Sequence, residues 1–340
     1  MTATFADRCL AMRAARYKKQ VRFLCISTVA LSTLMWGQLL LAQGATEFQR
    51  TLTVTPAEPV ALDIDLPNGN LEVAYGRDGQ VSIAASAKGS SENKVDDNFS
   101  PVVLSIEQNG NHITVRHLSN SFHLQERTSV LYRIDVPYRT VLTSKLGVGK
   151  QSIKGVLGPV KAETNKGDIT ASYISEGLEA RVGTGNLDLQ VIGGHVDAVA
   201  GIGNISCTRL AQGVNAETGD GDITLTVVGP STAIVKMGKG RIEVGGARGS
   251  LVASTEAGDL HVKAIPHQDW QLSSASGDVH LELPPSAKFD LVASTDAGEF
   301  RFDREDIARP DPHSLQFRQA VNGGGERIAV HTESGKIVIQ

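Results

Sequence analysis

Glu243, His261 and His280 recur at steps of 18 and 19 residues. Two imidazoles and a carboxylate can bind zinc or another borderline metal, with a water completing the shell. Residues so far apart converge only if each holds the same position of a repeated unit. The plainer account is chance: nine histidines scatter through 340 residues, and outward positions of a repeat are polar in any case. A second row, Asp168, Asn186, Asn204, Asp222, Arg241, Asp259, Asp278 and Glu299, advances in steps of 18 to 21 and suggests calcium. Calcium-binding solenoids, however, supply several oxygens per turn from glycine-rich nonapeptides. This chain offers one acidic or amide side chain per repeat, and Asn and Asp also serve turns by bonding their own backbone. No nucleophile elbow, zinc-protease helix or phosphate-binding loop occurs. Gly323-Gly324-Gly325 precedes a strand pattern rather than a helix, which makes it a turn.

The elements that would position these residues are set by glycine. Turn glycines stand at 149, 167, 185, 203, 221, 240, 258, 277 and 298, and the phrase returns in Ser334-Gly335-Lys336-Ile337 after an insertion at 303–318. A fixed period of this length marks a solenoid, each repeat stacked on its neighbours. Aligned on the glycine, positions −7, −5, −3, +2 and +4 are apolar or small, as in Leu178, Ala180, Val182, Leu187 and Leu189, and the positions between are mostly polar. This is the alternation of half-buried strands on either side of a turn. No six-residue phase fits, which argues against a left-handed hexapeptide helix. A flattened coil of two or three sheets is expected, right-handed by the general preference of parallel crossovers. Cys207 and Trp270 fall in inward columns and read as core. Glu243, His261 and His280 share the outward position +3.

Residues 45–158 carry the same template less regularly. Leu62, Ile64, Leu66, Asn68-Gly69-Asn70, Leu71 and Val73 form an early coil. Strand patterns at 81–83, 102–106, 113–115 and 130–136 are separated by polar insertions at 88–100 and 117–128. These insertions, with 303–319, are where loops could carry recognition; capping of a solenoid end is the alternative. No composition shift cuts the chain, so 45–340 reads as one β-solenoid domain, irregular over 45–158 and regular over 159–340.

Residues 1–44 are of another kind. Six basic residues precede an apolar run from Phe23 to Leu41, followed by Ala42-Gln43-Gly44. This is the layout of a secretory signal cleaved after Gly44; an uncleaved anchor is the alternative, since the run is about long enough to span a bilayer. Cleavage removes six basic residues and one acidic, leaving 27 against 36 and a net charge of −9. The whole chain, at −4, is no nucleic-acid binder by bulk electrostatics. Cys207 would be the sole remaining cysteine, so no intramolecular disulfide can form.

The recurrent phrase Thr164-Asn165-Lys166-Gly167-Asp168-Ile169, Thr255-Glu256-Ala257-Gly258-Asp259-Leu260 and Ser274-Ala275-Ser276-Gly277-Asp278-Val279, with the ending Asn322-Gly323-Gly324-Gly325 through Ile337, resembles a family of exported bacterial adhesin-like β-helix proteins of unknown function, of the DUF4097 type. The resemblance spans residues 48–340. It implies an all-β, single-stranded parallel β-helix of about 18 residues per coil, and it brings no catalytic residues with it. The expected function is a non-enzymatic binding or structural surface of the cell envelope, exported to the periplasm, cell surface or exterior. Its partner would be an envelope protein or glycan, with no cofactor, and membrane contact would come only through an uncleaved N-terminus. The enzymatic alternative, a polysaccharide lyase or hydrolase, would place acids beside Arg or Lys on one groove. A metal-dependent sensor using Glu243, His261 and His280 is the third reading.

Overall fold

A computed structural model of the chain describes residues 47–89, 104–118, 128–311 and 313–340. Residues 1–44, expected to be a secretory signal, and most of the insertions at 88–100 and 117–128 lie outside the described residues. Among the described residues every regular element is a strand, and the strands form two sheets of 14. Each regular coil gives one strand to each sheet: Val160–Lys166, the glycine corner, then Ile169–Ile174. Successive coils pair in parallel with no register slip, so Ala162 faces Ala180 and Ile169 faces Leu187. The two inner faces meet in one continuous apolar cluster, from Leu52 to Ile339, that includes Cys207 and Trp270. Full burial of each Ile, Leu or Val gains about 1.5–3 kcal/mol over exposure.

The stacking order departs from the chain order at both ends. The sequence suggested that the coil of Gly335 follows that of Gly298. Instead Glu326–Ser334 lies between Trp270–Ser276 and Phe289–Thr295, and Lys336–Ile339 lies between Val279–Glu282 and Glu299–Phe302. The last coil of the chain is thus inserted beneath the one before it. The N-terminal end mirrors this: the coil of Gly69 sits between the strands His112–His117 and Thr128–Val136 on one side and Thr140–Val148 and Gln151–Val156 on the other. The pattern of columns could not reveal either insertion, because an inserted coil offers the same inward residues as a terminal one.

Antiparallel strands close the ends. Glu47–Thr53 and Gln80–Gly89 extend one sheet, and Leu104–Asn109 pairs with His112–His117 at the rim of the other. At the far end the tail of the segment read as a loop over 303–319 is a strand, Gln316–Val321, antiparallel to Phe289–Thr295. The start of that segment is tied down. Arg304, its side chain 6% exposed, donates to Asp306 Oδ2 (2.6 Å) and to the carbonyls of Leu283 (2.7 Å) and Pro284 (3.1 Å). Asn322 donates to the carbonyls of Pro285 and Ala287, both at 2.9 Å. The excursion therefore covers the terminal rung of the stack, as edge protection requires.

One inward column was not legible. In the coils of Gly149 to Gly240, position +7 is buried: Val156, Ile174, Ile192, Leu210, Val228 and Ala247. Simple alternation would have turned +6 inward. The chain instead takes a left-handed conformation at +6, with φ of 58° at Tyr173, 56° at Val191 and 57° at Arg209, and with glycine at 155 and 246. The extra residue drops out of the ladder, as in a β-bulge, and shifts the phase by one. The coils of Gly258 and Gly277 lack the shift and bury +6 as Ala264 and Leu283.

Candidate functional site

The outward columns begin at the glycine corner. Eleven glycines stack in the order 69, 149, 167, 185, 203, 221, 240, 258, 277, 335, 298. Those of the regular coils have φ between 131° and 148°, open in practice only to glycine. A Cβ on each would also run into the carbonyl oxygen of the glycine below. Beneath the corner the −3 hydroxyls cap these carbonyls: Thr218 donates to Gly203 (2.9 Å), Ser274 to Gly258 (3.2 Å) and Thr332 to Gly277 (3.2 Å). Thr255 Oγ1 is buried without such a partner.

The Asp/Asn row at +1 works between coils. Asp168 Oδ1 accepts the backbone N–H of Asn186 (3.0 Å), Asn186 that of Asn204 (2.9 Å), Asn204 that of Asp222 (2.8 Å), and Asp222 that of Arg241 (2.8 Å). The expectation that these side chains bond their own backbone is thereby corrected: each binds the next coil. A basic residue cannot accept, and where one interrupts the row it pairs with the next acid instead. Lys150 Nζ lies 3.0 Å from Asp168, and Arg241 Nη2 lies 3.7 Å from Asp259. The Asn186 amide and then the Lys150 ammonium hold the Asp168 carboxyl below its ordinary range. A recess lined by Asp222, Arg241 and Asp259 thus carries its own cation.

Glu243, His261 and His280 stack in register, as their spacing required. The two imidazole rings lie 6.0 Å apart, edge to face at 72°. Their nitrogens, however, turn elsewhere. His261 Nε2 meets Glu282 Oε1 at 2.9 Å, and His280 Nε2 lies 3.9 Å from Asp278. Glu282 also takes the Lys263 ammonium at 2.6 Å, and that bond leads in holding its carboxyl below the usual range. Among the described residues no three His, Cys, Asp or Glu side chains converge as a metal would need. Glu282 and Lys263, in the neighbouring outward position +5, were missed; their own in-register spacing was the available signal.

Two polar features were also missed. Gln151 is 1% exposed at an inward +2 position. It accepts from Ser144 (2.6 Å) and donates to Thr164 (2.8 Å) and to the Glu163 carbonyl (2.6 Å), so its amide is fully used. On the opposite side of the wall, the −2 positions Gly219 and Gly238 floor a shallow trough of about 600 Å³, edged by Glu217, Lys236, Asp220 and Lys239. Cys207 and Trp270 are core residues; burial pushes the Cys207 thiol up to about 12.

The fold and its corner phrase can be set beside known proteins. No curated protein sequence matches the chain. Two solved structures are similar, one described as a proposed cell adhesion protein from Clostridium sporogenes and the other as a proposed adhesin from Bacteroides fragilis. The first is 13% identical, over 86% of this chain and 98% of its own, with a TM-score of 0.20. The second is 14% identical, over 86% and 97%, with a TM-score of 0.31. Scores this low carry no argument about function. Residues 60–340, the whole of the glycine ladder, match the sequence profile of one family, and on that match the chain belongs to the Toastrack DUF4097 family.

Proposed function

We infer that this chain is an exported, adhesin-like surface of the cell envelope, wound as a single right-handed strand path, and that it acts by binding rather than by catalysis. One observation carries the reading: outward side chains are held in register, a strand spacing of about 4.8 Å apart, along the whole glycine ladder. The corner glycines, the hydroxyl caps and the +1 amide row fix each rung to the next. What the wall presents is therefore a rigid, repeated array of charged and polar groups, suited to a long partner such as a glycan or an extended protein. The exported location rests on the basic and apolar layout of residues 1–44. Binding of the intact purified chain to envelope fractions of its own cells, alongside a glycan-turnover assay, tests the reading. Saturable binding without turnover is expected. Release of reducing ends would favour the lyase or hydrolase alternative.

A further inference from the structure

We propose that the corner formed by Tyr138, Tyr75 and Tyr173 is a binding platform for an extended β-linked glycan, a proposal that rests on the display reading above and gives it a site. Among the described Phe, Tyr and Trp residues the exposed rings all lie here: Tyr75 is 52% exposed, Tyr138 44% and Tyr173 56%. Tyr132 and Trp270 are buried, and the described phenylalanines are buried or half-buried. Tyr75 and Tyr173 each stand six residues after a corner glycine, on strands separated by one rung, Gln151–Val156. The rings are therefore rooted about 9.6 Å apart, two strand spacings, near the length of a disaccharide unit. The rung between them carries Gly155 at the same position, so no side chain fills the interval; a Cβ there would approach Tyr75 Cβ at 3.3 Å.

Tyr173 gives the arrangement weight. Its φ of 58° is a conformation that glycine adopts freely and that costs an L-residue roughly 1–2 kcal/mol. Two coils place glycine at this position, and the exposed ring of Tyr173 adds nothing to the core. Lys154 Nζ lies 5.9 Å from the centre of that ring and steadies it. Tyr138 meets Tyr75 edge to face at 5.5 Å and also walls a pocket of about 150 Å³ with Glu58, Asp78 and Arg139. The Glu58 carboxylate and the Arg139 guanidinium have no side-chain partner among the described residues. A pyranose offers what these groups take: C–H faces for the negative faces of the rings, and hydroxyls that both donate to carboxylates and accept from a guanidinium or ammonium. A protein partner would favour a continuous apolar patch, whereas the bare Gly155 position lies on the rung between Tyr75 and Tyr173 and the Lys154 ammonium stands over the Tyr173 ring.

The test titrates the intact chain with cellotetraose, chitotetraose and, as the α-linked comparison, maltotetraose. A β-linked tetraose should bind saturably, about tenfold or more tighter than maltotetraose. Tyr173→Gly suits the left-handed backbone, so it should keep the melting temperature while weakening the β-linked ligand about tenfold; Tyr173→Phe should stay within about threefold of the parent. Absence of binding below about 10 mM, or undiminished binding by Tyr173→Gly, overturns the proposal. So does a dimer that Tyr173→Gly dissociates, which would assign the strip to a second copy. If Tyr173→Gly binds envelope fractions as the parent does, the platform fails and the display reading stands. If the parent itself binds no envelope material, the display reading fails with it.

Discussion

Lys336 donates its backbone N–H to Asp278 Oδ1 at 2.8 Å across 58 residues of sequence. The bond continues the inter-coil row that joins Asp168 to Asn186, and it fixes the last coil of the chain directly upon the coil of Gly277. The coil of Gly298, earlier in sequence, is displaced to the outside. A cysteine pair tests this order. Ser276 and Ser334 are register partners on neighbouring parallel strands, where the Cα separation of about 4.8 Å suits a disulfide. Ser276→Cys with Ser334→Cys should crosslink under mild oxidation and leave the melting temperature equal or higher. Crosslinking of Ser276→Cys with Ala297→Cys instead would mean the coils stack in chain order.

The corner glycines and the +6 positions answer substitution oppositely. Gly203→Ala forces a side chain onto φ of 145° and into the Gly185 carbonyl, and should cost about 3 kcal/mol or more. Val191→Gly relieves a β-branched residue at φ of 56°. The relief of roughly 1–2 kcal/mol is offset by glycine's backbone entropy of about 0.5–1, so the change should be neutral to stabilising. Denaturant unfolding of both variants measures this; a destabilised Val191→Gly would contradict the bulge.

Thr218 and Thr255 make a matched pair. Thr218 caps the Gly203 carbonyl, whereas the Thr255 hydroxyl is buried with no partner. Thr218→Val should cost about 1 kcal/mol, since it removes the cap of a half-buried carbonyl. Thr255→Val removes an unsatisfied hydroxyl and should be neutral or stabilising. Equal losses in the two variants would show that the cap contributes nothing.

Acid should loosen the ladder from its charged rows. The folded-state carboxyls of Asp168, Glu282 and Asp306 are depressed, by the Asn186 amide, the Lys263 ammonium and the Arg304 guanidinium respectively. Depressed groups stabilise the fold above their unfolded values near 4 and lose that contribution as pH falls through the folded ones. The melting temperature should hold from neutrality to about pH 5 and fall below about pH 4. Asp168→Asn keeps an acceptor for the Asn186 amide, as Asn186 itself does for Asn204, and should flatten part of the fall. Cys207 runs the other way: its thiol is raised to about 12, so its contribution is whole below about pH 8.5 and declines above. In the native protein it should resist alkylation at pH 8 and react once the chain is unfolded.

Much of the fold was legible because period-two alternation survives on both sides of each glycine, from Leu178 and Ala180 to Leu187 and Leu189. The +7 column was not, because the left-handed residue at +6 shifts the phase by one, and only Gly155 and Gly246 hinted at it. The placement of the Gly335 coil was hidden by its likeness to every other coil. The register of Glu243, His261 and His280 was legible, but the direction of their nitrogens depended on Glu282 and Lys263, a neighbouring column. Tyr75 and Tyr173 shared a position relative to Gly69 and Gly167 that could have been noticed; the exposure of Tyr173 could not be read without the bulge, and Tyr75, which stays in the ladder, is exposed against simple alternation.

Photo-crosslinking in the protein's own cells tests the display function most directly, with the reactive side chain placed at the outward positions of Ser172 and Lys236 and, for comparison, at the buried position of Val235. The account predicts that the protein fractionates with the envelope and that the outward probes capture an envelope protein or glycan while the Val235 probe yields only internal products. Recovery in the cytosolic fraction, or outward probes that capture nothing, would contradict it.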